Sequence, residues 1–318
     1  MKLSVIVPVY NLERYVSACI ESLVSQQCDF EYEIIIADDC STDGSKKVIS
    51  EYQSCYPQRI KAIYQEKNIG LVENLRQLLS SANGEYIAYL DGDDLALPDK
   101  LQHQVAYMER HSNCSISYHE SEVFDSDSGN FIKLYSKGFY NWSHIPNQAK
   151  ADHLVEYGTF LQASAMMVRN YPGIENSVDK RCKIIVDYPF HILNAIALGG
   201  TIDFIDEILG RYRVHNDSFG AQTSRSVKRR LDVLQELLYC CDLAEARGLT
   251  PASCDIGRKH FYFAAAVYVM RMGKYEEFCS LIEQSTDGDV FFNEKHRFCW
   301  EHKHNFKRLS EELSVAVS

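Results

Sequence analysis

Residues 86–101, YIAYLDGDDLALPDKL, constrain the fold more than any other stretch of the chain. Tyr86, Ile87, Ala88, Tyr89 and Leu90 make an apolar run of strand length, which reads as a buried strand. The run breaks into Asp91-Gly92-Asp93-Asp94 and restarts at Leu97-Pro98-Asp99-Lys100-Leu101, where proline suits the first turn of a helix. Three carboxylates at the carboxyl end of a strand repel one another unless a cation lies among them. Hard divalent ions such as Mg2+ or Mn2+ take oxygen ligands and keep positions open for phosphate oxygens. Gly92 lets the backbone turn sharply and approach closely. An Asp-rich turn that merely caps the next helix satisfies the same residues.

The pattern has precedents upstream. Residues 3–9 are a β-rich apolar run leading into Tyr10-Asn11, and 12–27 follow as a helix with Tyr15, Cys19, Ile20, Leu23 and Val24 on one face. Residues 33–37 contain Ile34-Ile35-Ile36, as in a strand covered on both sides. They end in Asp38-Asp39-Cys40-Ser41-Thr42-Asp43-Gly44-Ser45, where Ser41 or Asp43 suits a helix cap. A strand over 60–65, a turn at Asn68-Ile69-Gly70 and a helix to about 81 lead back to 86–90. Strands alternating with helices at this spacing predict a mostly parallel sheet with ligands at the strand carboxyl ends. No GxGxxG follows the first strand and no GxxxxGK[ST] occurs. A bound phosphate would therefore be held by a metal and side chains rather than by a glycine nest.

Composition narrows the partners. A formal charge of −11 argues against nucleic acid, which needs a basic face. The acidic excess lies entirely within residues 1–220, while 221–318 carry acids and bases in equal number; the shift marks a domain boundary near 220. The 11 cysteines are odd in number and form no CxxC pair, which favours neither a zinc site nor a secreted disulfide framework. The first apolar run ends too soon, at Pro8, Tyr10 and Asn11, for a signal peptide. No run of about 18 apolar residues offers a membrane span. The expectation is a cytoplasmic protein, in which the sequons Asn141-Trp142-Ser143 and Asn216-Asp217-Ser218 carry no meaning.

VIVPVYN, DDCSTDGS, EKNIGLVENL and GEYIAYLDGDDLALPDKL, in this order and spacing, resemble the family-2 glycosyltransferases of the GT-A fold. The resemblance is good over 1–100 and looser to about 220. It implies a three-layer α/β/α GT-A domain with a mostly parallel central sheet over 1–220, followed by a C-terminal α-helical region over 221–318. It places Pro8, Tyr10 and Asp39 at a uridine pocket, Tyr10 stacking on the base and Asp39 accepting from a base N–H. Asn11 and Asn68, in the adjoining motifs, fall beside the nucleotide. Asp91 and Asp93 fall on the family's Asp-x-Asp, with Asp93 the direct ligand of Mn2+ or Mg2+, an ion that neutralises a diphosphate leaving group.

Further along, 114–118 reads as a strand and 125–130 as a hairpin turn. Residues 135–144 read either as a loop touching substrate or as irregular surface. Ala163, Ser164 and Ala165, within 161–169, leave room for a sugar ring or for close packing. Asp187 precedes a helical stretch over 191–198, where the family's general base opens a helix; inverting transfer needs such a base for the acceptor hydroxyl. Val186 precedes it, so the Glu-Asp pair common in the family is absent, and a lone Asp there is also an ordinary helix cap. Asp179 is the fallback base. Gly210-Arg211-Tyr212-Arg213-Val214-His215 resembles a segment near the end of the family's catalytic domain. There His215 would ligate the metal, a better role than base beside a cation, and Arg213 would hold the loop or the phosphates.

From Ser226 the pattern is helical, with breaks near 248–253 and at Gly273. A last helix over 291–313 interleaves Phe292, Phe298, Trp300 and Phe306 with Lys295, Arg297, Lys303, Lys307 and Arg308. It reads as docked on its neighbours or a second subunit, which would give a homodimer, or as an interfacial patch for peripheral membrane association. The resemblance implies an inverting transferase that moves sugar from a nucleotide sugar, first of all a UDP-sugar, by single displacement. The acceptor would be a hydroxyl of a glycan or lipid-linked saccharide. A catalytically inactive nucleotide-sugar-binding scaffold is the rival. A sugar-1-phosphate nucleotidyltransferase would ordinarily show a Gly-rich basic loop where this chain has PVYNLER.

Overall fold

A computed structural model describes residues 1–215, 223 and 225–314. The expected boundary at 220/221 and the sequon at Asn216 lie outside the described residues. The chain divides into two compact units: Met1–Leu154 with Thr159–His215, and Val155–Gly158 with Asn216–Ser318.

The first unit begins as strand–helix alternation: β1 (Leu3–Val9), α1 (Val16–Val24), β2 (Tyr32–Asp38), α2 (Ser45–Cys55), β3 (Ile60–Tyr64), α3 (Leu71–Ser81) and β4 (Tyr86–Tyr89). β1 lies between β2 and β4 and pairs parallel with both, and β3 extends the sheet beside β2. All seven residues of β1 are buried, as expected of a strand roofed by helices on both faces. Val16, Cys19, Ile20, Leu23 and Val24 of α1 supply part of that cover.

The chain continues with β5 (Leu95–Ala96), α4 (Lys100–Arg110), β6 (Cys114–Asp125), β7 (Phe131–Leu134), β8 (Gln148–Ala149), α5 (Ala151–Tyr157, whose last residues count with the second unit), β9 (Met166–Arg169), α6 (Asp187–Leu198) and β10 (Thr201–Val214). The sheet order is β3-β2-β1-β4-β9-β6-β10-β5, with β7 on β6 and β8 on β10. β9 is antiparallel to both β4 and β6, so a parallel half joins a mixed half. β10 runs parallel to β6 and antiparallel to β5, through Gly210↔Ala96 and Arg211↔Leu95. That last pairing carries residues 213–215 back over the end of β4.

Three local expectations change. The first helix starts at Val16, because 12–15 form a turn closed by Tyr15 N–H to the Leu12 carbonyl at 2.8 Å. Pro98 does not open a helix: the preceding residues are drawn into β5, Leu97 N–H reaches the Leu209 carbonyl at 2.9 Å, and α4 starts after Asp99 at φ 65°. The strand expected over 114–118 runs on to Asp125, since β10 gives it a partner over its whole length.

The second unit holds α7 (Val227–Ala246), α8 (Pro251–Arg271), α9 (Tyr275–Gln284), α10 (Glu294–Glu301) and α11 (Phe306–Ser314). Ser226, Thr250 and Asn293 cap α7, α8 and α10 by accepting from backbone N–H groups. The helix expected over 291–313 is therefore two. Asn293 caps the first, and Asn305, accepting from Arg308 N–H at 3.1 Å, begins the second. Several cations of this segment lie over its own rings, Lys303 over Trp300 at 3.6 Å and Arg297 over Phe291 at 5.3 Å. Among the described residues no helix is long and apolar enough to cross a membrane. None of the 11 cysteines forms a disulfide.

Candidate active site

The carboxyl ends of β1, β2 and β4 face a common rim, because the three strands run parallel and in register. Pro8 is buried in β1, while Tyr10 just beyond it leaves 47% of its surface exposed. Asn11, at φ 55°, ties this rim to the next loop: its N–H donates to Ser41 Oγ at 2.9 Å, and its Oδ1 accepts from Thr42 N–H at 2.8 Å.

Asp39 is buried and bonded. Its Oδ1 accepts from Ile69 N–H at 2.7 Å and its Oδ2 from Gly70 N–H at 2.9 Å, at the start of α3. Burial pushes its carboxyl up, and the two backbone donors oppose the shift. Only the second lone pairs of these oxygens remain for a nucleobase. Asn68 is exposed and folds back onto Gly70 N–H at 3.1 Å.

After β4 the four residues 91–94 separate into different roles. Gly92 is closely packed: a Cβ there would lie 2.9 Å from Leu12 Cδ1, 3.0 Å from Val9 Cγ2 and 3.1 Å from the Pro8 carbonyl, so a side chain would need these neighbours to give way. Asp94 is 0% exposed and consumed internally: Oδ1 accepts from Arg213 N–H at 2.8 Å and Oδ2 from Gln162 Nε2 at 2.7 Å. Asp91 Oδ1 accepts from the Tyr89 hydroxyl at 2.6 Å, and its N–H donates to Ser164 Oγ at 2.9 Å. Burial and the Asp93 charge push the Asp91 carboxyl up to about 7. Asp93 Oδ2 meets His215 Nε2 at 3.0 Å.

Arg213 braces this arrangement. Its Nε donates to the Asp93 carbonyl at 2.7 Å, and its guanidinium lies over the rings of Tyr15 at 4.9 Å and Phe124 at 4.7 Å. Of the two roles expected for Arg213, the structure displays the loop-holding one. The residues Ala163–Ala165 are packed rather than roomy. Ser164 and Ala165 are buried, Gln104 Nε2 donates to the Ala165 carbonyl at 2.9 Å, and the buried Lys100 ammonium donates to the Ser164 carbonyl. Burial pulls the Lys100 amine down to about 7, with the Asp94 charge opposing.

Asp187 is the first residue of α6. Part of the residue is reached by solvent, while its carboxyl is enclosed by protein, and burial raises its pKa. Its charge helps to raise the Asp91 carboxyl and the Tyr89 and Tyr135 phenols. Asp179, the fallback, is turned to its own turn, accepting from Arg181 N–H at 2.8 Å.

The sequence assigns Tyr89 and Tyr212 no role, whereas Tyr135 falls in a segment that reads as touching substrate or as surface, and Ser164 in one that reads as room for a sugar ring or as close packing. Tyr89 ends β4 two residues before Asp91, close enough along the chain for its hydroxyl to reach that carboxylate.

The residues present fit a divalent cation. Asp93 and His215 touch at 3.0 Å, and burial, with the Asp93 charge beside it, displaces the Asp91 carboxyl toward neutrality. Among the described residues no three His, Cys, Asp or Glu side chains converge as a ready-made cage. Such a pair suits an ion that takes one or two protein ligands and fills its shell with phosphate oxygens and water.

An α/β sheet with acidic loops at its parallel strand ends is built to bind ligands at that rim, and comparison with known proteins gives the class. The chain belongs to glycosyl transferase family 2, whose family model matches residues 4–172. Rv1520 of Mycobacterium tuberculosis is 31% identical over 211 residues, 65% of this chain. The chain spans only 57% of that relative's length. TuaG of Bacillus subtilis, named for teichuronic acid biosynthesis, is 27% identical over 234 residues, 74% of this chain and 87% of its own. Among solved structures, residues 1–349 of S. aureus TarS in complex with UDP-GlcNAc match with a TM-score of 0.69 at 18% identity, covering 99% of this chain and 92% of that one.

Proposed function

We propose that the chain transfers a sugar from a nucleoside diphosphate sugar to a hydroxyl of a saccharide acceptor with inversion. The observation that carries the reading is the juxtaposition of the Asp93–His215 pair, at 3.0 Å, with the raised carboxyls of Asp91 and Asp187. Asp93 and His215 would hold Mn2+ or Mg2+. When bound, that cation neutralises charge developing on the diphosphate leaving group.

The chain's own residues do the rest. Asp187 accepts the proton of the attacking hydroxyl on its carboxylate oxygen, and burial keeps that carboxylate basic enough to do so. Tyr89 and Ser164 fix the Asp91 carboxyl, and Arg213 fixes the backbone of Asp93. Tyr10, exposed at the end of β1, stacks on the base, with Pro8, Asn11, Asp39 and Asn68 shaping its surroundings. A single displacement needs one base and no covalent sugar intermediate.

UDP-sugars are the first donors to test, since the TarS structure holds UDP-GlcNAc. The name of TuaG favours a surface-polysaccharide acceptor. The helices of the second unit are assigned to acceptor, subunit or membrane contact. Nucleotide release and binding across UDP-, GDP- and dTDP-sugars, with Mn2+ and with EDTA, test the core of the reading. Metal-dependent binding of one donor, lost in Asp93→Ala, is the expected result. Binding of no donor with metal present defeats it.

A further inference from the structure

Residues 135–137 are strapped in place by a buried acid. Glu120, 1% exposed within β6, accepts at Oε1 from Ser121 N–H and Ser136 N–H, and at Oε2 from Lys137 N–H, all at 2.9 Å. Tyr135 N–H donates to the Ser121 carbonyl at 2.9 Å, and Lys137 Nζ pairs with Asp206 at 2.5 Å. Desolvating a carboxylate costs several kcal/mol unless donors replace the lost water. Here three backbone N–H groups do so with charge-assisted bonds, two of them from the strap itself.

What the strap carries is Tyr135. Its ring meets Tyr212 edge-on, centroids 5.6 Å apart at 82°, and Tyr212 sits next to Arg213, which holds the Asp93 loop. Part of the Tyr135 surface remains open to solvent. Burial, then the charges of Asp187, Asp94 and Asp91, push its phenol pKa up. Among the described residues no side chain is bonded to that hydroxyl. An aromatic ring with an open part and an unspent hydroxyl beside a base matches what a sugar presents, an apolar face and a rim of hydroxyls. The edge-on contact with Tyr212, next to the arginine that bonds the Asp93 carbonyl, puts Tyr135 at the rim of the same site.

We propose that Tyr135 forms the acceptor subsite, its ring taking the face of a pyranose and its hydroxyl bonding that sugar beside Asp187, with Glu120 as the positioning residue. The proposal rests on the reading of Asp187 as general base. The test uses the full chain, Mn2+ and whichever nucleotide sugar it hydrolyses, with methyl hexopyranosides as acceptor probes and nucleotide release as the signal. At least one pyranoside is expected to stimulate release above water hydrolysis. Tyr135→Ala should raise its KM roughly tenfold or more, the loss of one stacking and one polar contact, while the donor KM moves far less. Tyr135→Phe should fall between, and Glu120→Gln should follow Tyr135→Ala while speeding amide hydrogen exchange at 136 and 137. Donor hydrolysis without stimulation by any pyranoside overturns the subsite alone, as does a donor KM that shifts as much as the acceptor KM. Absence of any donor hydrolysis fells the functional reading, and this proposal with it.

Discussion

At the end of β2, both oxygens of Asp39 are taken by the N–H groups of Ile69 and Gly70. At the end of β4, Asp94 is taken in the same way by Arg213 and Gln162, yet Asp93 keeps its carboxylate for His215 and the space beyond. Two acidic loops of similar composition are thus built to different ends. The first uses a carboxylate mainly to anchor a helix N-terminus, where the positive end of the dipole rewards it. The second uses one carboxylate as an internal anchor so that another can stand in an electrostatically costly place. The lesson is that an acid's lone pairs, rather than its position in a motif, separate anchor from reagent.

Substitutions can break or sharpen this contrast, and the largest effect falls outside both loops. Asp187→Asn should lower kcat by about 10²–10⁴-fold, the usual worth of a general base, with nucleotide-sugar binding by calorimetry retained. Because burial holds this carboxyl above its ordinary value, it becomes protonated and idle at a pH where a free aspartate, with pKa about 3.9, is still ionised. The kcat of the wild type should therefore fall with decreasing pH along a limb displaced upward from that value. Wild-type activity unchanged down to pH 4 would contradict the assignment.

Asp93→Ala should cost about 10²–10³-fold in transfer, in line with losing one charge-stabilising group, with an unchanged unfolding midpoint. Asp94→Ala should behave in the opposite sense. It leaves two buried donors without an acceptor, which costs about 3 kcal/mol in urea unfolding, before any effect on turnover is counted. If the two variants lose stability equally, the distinction between anchor and reagent within this loop fails.

The smallest effect belongs to the first loop. Asp39→Asn keeps one acceptor oxygen for two N–H groups and removes the charge at the start of α3, a loss of about 1–2 kcal/mol. Nucleotide affinity should weaken only modestly. A loss of binding as complete as that of Asp93→Ala would show that Asp39 is spent on the base after all.

Much of this was legible because it is local. Strand–helix alternation over 1–90 predicts the parallel half of the sheet, and Asp-rich breaks mark its carboxyl rim. The mixed half was less legible: β10 is a fourteen-residue strand whose polar residues obscure its period. The break in the last helix hinges on Asn293 and Asn305 acting as caps, and an asparagine is equally at home on a solvated helix face.

The sequence by itself determined the parallel strand order's raw material, the acidic rim, the absence of a glycine phosphate nest and the family. Hydrophobic period and turn chemistry act within a few residues, so one chain segment suffices to read them. Only the tertiary structure decided which acids are spent. It brought Arg213 and Gln162 onto Asp94, His215 onto Asp93, and Glu120 under the strap that carries Tyr135. Those pairings join residues from 16 to more than 100 positions apart, and a carboxylate's pKa and free lone pairs depend on partners that no local pattern names.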